Sequence, residues 1–135
     1  MRREDPRAHL ARSWFVRAQR DLASSERLLV QPAFPAEAVF HCQQAAEKAL
    51  KGFLVWQNQP FRKTHDLIKL GGQCVALDPS LEPLLRRAAP LTDYAWKFRY
   101  PGESDPSPTE ADEALRLARE VYAEVLSRLP SEVHP

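Results

Sequence analysis

The chain is short of several residue types, and each shortage excludes something. Only four of its 135 residues are glycine and one is methionine, which rules out a collagenous or glycine-rich low-complexity protein. Cys42 and Cys74 are its only cysteines. They lack the spacing of a metal site and are too few for a disulfide framework, so the expectation is a pair of buried, reduced thiols and no metal. No apolar run approaches the roughly 18 residues that cross a bilayer. The opening MRREDPRAHLAR is charged where a signal peptide would be apolar, so a cytoplasmic protein with no membrane partner is expected. Also missing are G-x-x-x-x-G-K, G-x-G-x-x-G, G-x-S-x-G and H-E-x-x-H. Nucleotide hydrolysis on a P-loop, dinucleotide-cofactor binding, esterase chemistry and zinc peptidase chemistry therefore have no foundation, and no cofactor is implied. No segment alternates apolar and polar residues as a half-buried strand does.

What is present fits a folded domain: 44% of residues are hydrophobic and 27% charged. The length suits one domain over residues 1–135, with a core of about residues 6–129 and frayed ends. The formal charge of +1 hides a gradient. Residues 1–42 carry seven basic and five acidic groups, residues 43–100 nine and five, and residues 101–135 three and eight. A middle of net charge +4 is too weak for a strong duplex-binding surface but is enough for one compact anion.

Every long segment repeats at helical period, so the fold class is all-α: an up-and-down bundle of four main helices plus one short helix. Asp5-Pro6 starts a first helix that ends near Val30, with Leu10, Trp14, Ala18, Leu22 and Leu29 on its apolar side. Pro35 opens a second helix running to about Trp56. Val39, Cys42, Ala46, Ala49, Leu50 and Phe53 share one of its faces, while Gln44, Glu47, Lys48 and Lys51 cluster opposite. Ala45, Ala46 and Ala49 are small enough for a neighbouring helix to come close. Thr64 is the expected N-cap of a third helix, with His65 and Asp66 in its first turn. Gly71-Gly72 marks its kink or its end. A fourth helix from about Leu81 is bent at Pro90 and continues through Tyr94 and Phe98 to about Tyr100. Pro101 to Pro108 is a loop. Ser107-Pro108-Thr109-Glu110 is a capping box that opens a fifth helix reaching Leu129-Pro130.

Three places can hold chemistry. At Lys63-Thr64-His65-Asp66, backbone N–H groups, the helix dipole and the cations Arg62 and Lys63 suit a phosphate; the structural alternative is a capped helix with His65 bonded to a neighbour. On the second helix, Glu47 and Lys51 form an exposed i, i+4 pair, or else Gln44, Lys48 and Lys51, with His41 beside them, face a groove and meet a phosphate or a base edge. At Arg99-Tyr100-Pro101, Arg99 either bonds the last carbonyls of a helix or clamps a phosphate while Tyr100 or Tyr94 stacks on a base. Trp14, Trp56 and Trp96 read as core or interface.

QQAAEKALK within the second helix, KTHDL at the third helix start and RYP at the fourth helix exit, in that order, resemble the HEPN domain family, small helical domains of higher eukaryotes and prokaryotes associated with nucleotide binding. The resemblance covers roughly residues 10–128. It implies a helical bundle that forms a homodimer or higher homo-oligomer and acts with a small nucleotidyltransferase of minimal size. Its ligand would be a nucleotide such as a nucleoside triphosphate, and the ligand-binding candidates are Gln44, Lys48, Lys51, Lys63, His65, Arg99 and Tyr100. Catalytic members of the family are metal-independent ribonucleases, some of them toxins of toxin-antitoxin pairs. They carry Arg, four to six further residues, then His. Counting on from Arg99, those positions are Ser104, Asp105 and Pro106. The bare spacing does occur from Arg2 and Arg3 to His9 and from Arg128 to His134, but about one such match is expected by chance and all lie at expected fraying ends. A non-enzymatic binding subunit is therefore the leading expectation. A ribonuclease acting on RNA and a purely structural dimerisation module are the alternatives.

Overall fold

The computed structural model describes residues 5–61, 63–98 and 100–135. Among them there are five α-helices and no strand. They are α1 (Pro6–Leu28), α2 (Pro35–Trp56), α3 (Leu67–Leu77), α4 (Glu82–Ala88) and α5 (Pro108–Leu126). Short 3-10 turns occupy Pro79–Leu81, Ala89–Ala95 and Ser131–Val133. The all-α expectation is met, and no helix of the described residues is long and apolar enough to cross a membrane.

At the start of α1, Asp5 accepts a hydrogen bond from the Arg7 N–H at 2.8 Å and Pro6 takes the first helical position, where a missing N–H costs nothing. Its buried side is Ala8, Ala11, Phe15, Ala18, Asp21 and Ser25. The expected apolar stripe holds at Ala18, and Leu22 and Leu29 pack half-buried against the core, but Leu10 is 53% exposed and Ala11 and Phe15 take the inner positions. The reason is proximity to α2. A Cβ added at Gly52 would lie 2.6 Å from Phe15 Cε2 and 3.1 Å from Trp14 Cβ, so this crossing selects small side chains over leucines.

Helix α2 is the centre of the molecule and packs on α1, α3, α5 and the 89–95 turn. Its apolar face, Val39, Cys42, Ala46, Ala49, Leu50 and Phe53, is buried as expected. The opposite face departs from expectation. Glu47 and Lys51 are buried, so the exposed i, i+4 pair is in fact an interior one.

Three further boundaries are corrected. The N-cap of α3 is Asp66, which accepts from the Ile68 N–H at 2.9 Å, whereas Thr64 Oγ1 accepts from the Asp66 N–H and orders the approach. His65 thus stands before the helix. The helix also passes through Gly71-Gly72, because Leu70 and Cys74 are anchored in the core on either side. The α-helical ladder of α4 ends at Ala88, and the chain continues as a 3-10 turn to Ala95 instead of running to Tyr100. Pro90 has no N–H to give, and the tighter turn puts Leu91 into the core.

Helix α5 begins as read, with Ser107 Oγ accepting from the Glu110 N–H at 3.1 Å, and ends at Leu126. The C-terminal end is docked rather than frayed. Val133 is fully buried, and Arg12 Nε donates to the His134 carbonyl at 3.2 Å.

Candidate functional site

Two buried carboxylates organise the polar side of α2. A carboxylate taken out of water loses several kcal/mol of hydration, which only close partners offset. Glu47 has three. Its Oε1 accepts from His65 Nδ1 at 2.6 Å and from Gln43 Nε2 at 3.3 Å, and its Oε2 accepts from Lys51 Nζ at 3.2 Å. Asp21, reaching across from α1, accepts from His41 Nδ1 at 2.8 Å and from Lys48 Nζ at 2.6 Å. In each dyad the ionised carboxylate can only accept, so the imidazole carries a proton on Nδ1 and leaves Nε2 as its other polar atom.

Gln43, wholly buried, ties the network to the loop before α3: its Nε2 donates to the His65 carbonyl at 2.9 Å. Gln44 Nε2 in turn donates to Gln43 Oε1 at 2.7 Å. Lys51 lies under aromatic rings, its Nζ 5.6 Å from the centre of Trp14 and 5.5 Å from that of Phe61, which are themselves in edge contact.

The candidate residues therefore fall into groups. Gln44, Lys51 and His65 belong to the Glu47 network and Lys48 to the Asp21 cluster, with Lys51 inside and the His65 ring 69% exposed. Lys48 and Lys51 are each matched by a carboxylate, so neither offers uncompensated charge to a ligand. Lys63 is exposed and makes no ion pair or hydrogen bond among the described residues. Tyr100 is exposed beyond the 3-10 turn. Arg62 and Arg99 lie outside the described residues. The chance Arg-to-His match at Arg128 dissolves: Arg128 pairs with Asp78 and Glu124, while the His134 ring bonds the Leu129 carbonyl. Arg2 and Arg3 are outside the described residues.

Sequence reasoning missed Asp21 and the burial of Glu47. Asp21 was detectable, since it occupies the same helical stripe as Ala11, Ala18 and Ser25, where an unpartnered carboxylate would not be tolerated. It also missed a cavity of about 330 Å³ lined by Ala36, Glu37, Phe40, His41 and Phe98. There Phe98 meets the first half of α2. Tyr94 and Phe98 stack at 5.7 Å, and Tyr94 Oη donates to Glu110 Oε1 at 2.9 Å. Burial and the Glu110 carboxylate both push the Tyr94 phenol above its ordinary range.

A helical bundle with a polar network along its central helix is the class that fold and site define. Within that class, the HEPN domain family matches residues 11–129, and the chain belongs to this family. Among solved structures, it is similar to the crystal structure of TT1696 from Thermus thermophilus, with 30% identity, a TM-score of 0.70, and coverage of 88% of this chain and 98% of that one. No curated protein matches the chain.

Proposed function

We propose that this protein is a nucleotide-binding or substrate-binding subunit that works as a homodimer beside a small nucleotidyltransferase, without catalysing a reaction of its own. The observation that carries this reading is the 330 Å³ cavity with Phe40, Phe98 and His41 in its wall, opening next to the His41–Asp21–Lys48 cluster. Its size falls at the low end of the roughly 300–1,000 Å³ typical of small-molecule sites. Aromatic rings accept a base by stacking, and His41, held in one orientation by Asp21, supplies a fixed polar atom beside them. The missing family His after Arg99 favours binding over cleavage. Val30, Phe34, Ile68, Trp96 and Tyr100, all more than half exposed, favour self-association. Calorimetry with mono-, di- and triphosphate nucleotides tests the proposal: saturable heat is expected, and no heat at millimolar ligand ends it.

A ribonuclease acting on RNA is the second reading, favoured by one observation. The His65 ring is fixed by a buried carboxylate and exposed to solvent, the arrangement that orients a general acid or base. Under this reading the purified protein degrades total RNA without metal, and His65→Ala abolishes the cutting. Intact RNA removes the reading.

A further inference from the structure

The cavity between α2 and the segment ending at Phe98 carries a preference among bases, an inference that rests on the nucleotide-binding reading above. Glu37 stands in the first turn of α2, where a negative charge is favoured by the helix dipole. It is exposed and makes no hydrogen bond or ion pair among the described residues, and it lines the cavity together with Phe40, His41 and Phe98. A carboxylate offers only acceptors.

Among the common bases, guanine alone presents two adjacent donors on its Watson–Crick edge, N1–H and the 2-amino group, which match the two oxygens of one carboxylate. Adenine and cytosine each place a ring-nitrogen lone pair beside their amino group. Uracil flanks its single N–H with carbonyl oxygens. Each of these sets an acceptor against an acceptor, which rejects the wrong base as well as favouring the right one. Of the other lining residues, the His41 ring is held by Asp21, and Phe98 carries the Lys97 ammonium 5.3 Å from its ring centre. A base seated against Glu37 thus has the aromatic rings of Phe40 and Phe98 beside it.

The geometry points to a guanine-selective nucleobase subsite in which Glu37 reads the Watson–Crick edge and Phe40 and Phe98 form the walls. GMP, IMP, AMP, CMP and UMP titrated into the full chain by calorimetry provide the test. GMP is expected to bind roughly tenfold or more tighter than AMP, CMP and UMP, with IMP, which lacks the 2-amino group, in between. Glu37→Gln, an exposed substitution whose folding is checked by its thermal melt, is expected to weaken GMP and to tighten AMP until the two bind alike, because an amide offers one donor and one acceptor to match the edge of adenine. Equal affinity for all five nucleotides overturns the subsite while nucleotide binding stands. A guanine preference that survives in Glu37→Gln also overturns it. Failure of every nucleotide to bind removes both readings together.

Discussion

At the scale of single residues, the Glu47 carboxylate is the most consequential group in the molecule. Its partners His65, Gln43 and Lys51 come from two elements, and its removal leaves a buried ammonium facing Trp14 and Phe61 without a counter-charge. Breaking a buried pair by deleting one partner costs about 3–5 kcal/mol, so Glu47→Ala is expected to lower unfolding stability by that order in urea titration. A loss below about 1 kcal/mol would show that the pair behaves as the surface pair its spacing implied. Spacing made Glu47 and Lys51 neighbours, and it did so correctly. It carried no information on what covers them, because burial of a helix on both faces depends on how many other helices surround it. Gly52 is a comparable case. A glycine inside a helix is a visible irregularity, but that it admits the Phe15 ring follows only from the crossing of α1 over α2.

At the scale of elements, helix ends written in capping residues were legible, and those decided by competition between caps were not. Ser107-Pro108 set the start of α5, and Asp5-Pro6 that of α1, because each motif satisfies its own backbone donors locally. In Thr64-His65-Asp66 two capping residues lie two apart, and both are used: Asp66 for the helix, Thr64 for the turn before it. Asp66→Ala is accordingly expected to cost about 1 kcal/mol in thermal or urea unfolding, and Thr64→Ala distinctly less. The reverse order would return the cap to Thr64. This boundary matters to the site, since it leaves His65 ahead of the helix with its carbonyl available to Gln43 and its ring to Glu47. The end of the fourth helix was misread for a different reason. Pro90 announces a break, but whether the chain resumes as an α-helix or tightens into a 3-10 turn is settled by where Leu91 finds the core.

For the molecule as a whole, the all-α class and the order of the long helices could be read from periodicity, whereas the carboxylate hubs and the cavity could not. Both require residues far apart in the chain, Asp21 with Lys48 and Glu37 with Phe98, to be brought together by packing. The two cysteines supply a test of that packing. Burial raises the Cys42 thiol from 9.0 to about 11 and the Cys74 thiol from 9.0 to about 12. A thiol raised in the folded state stays protonated there while the unfolded chain gives up its proton. Its contribution is therefore fully present below pH 9 and is lost as pH rises toward the folded-state values. Denaturant midpoints are expected to fall as pH climbs past 9, and less steeply in Cys74→Ala than in the parent. Equal slopes in the two proteins would place the thiol in water.

The paired glycines of α3 bear on how the protein moves. Nothing stands within 4 Å of a Cβ built at Gly72, and the nearest atom to one at Gly71 is 3.6 Å away, so neither position is required to be glycine by crowding. Each glycine gives the open chain more freedom to regain, so this short helix is expected to open before the long α2. Deuterium should accordingly enter the amides of α3 well before those of α2, with replacement of Gly72 by alanine slowing that uptake. The loop that fixes His65 against Glu47 adjoins this helix, so its opening would release the imidazole on a timescale shorter than global unfolding.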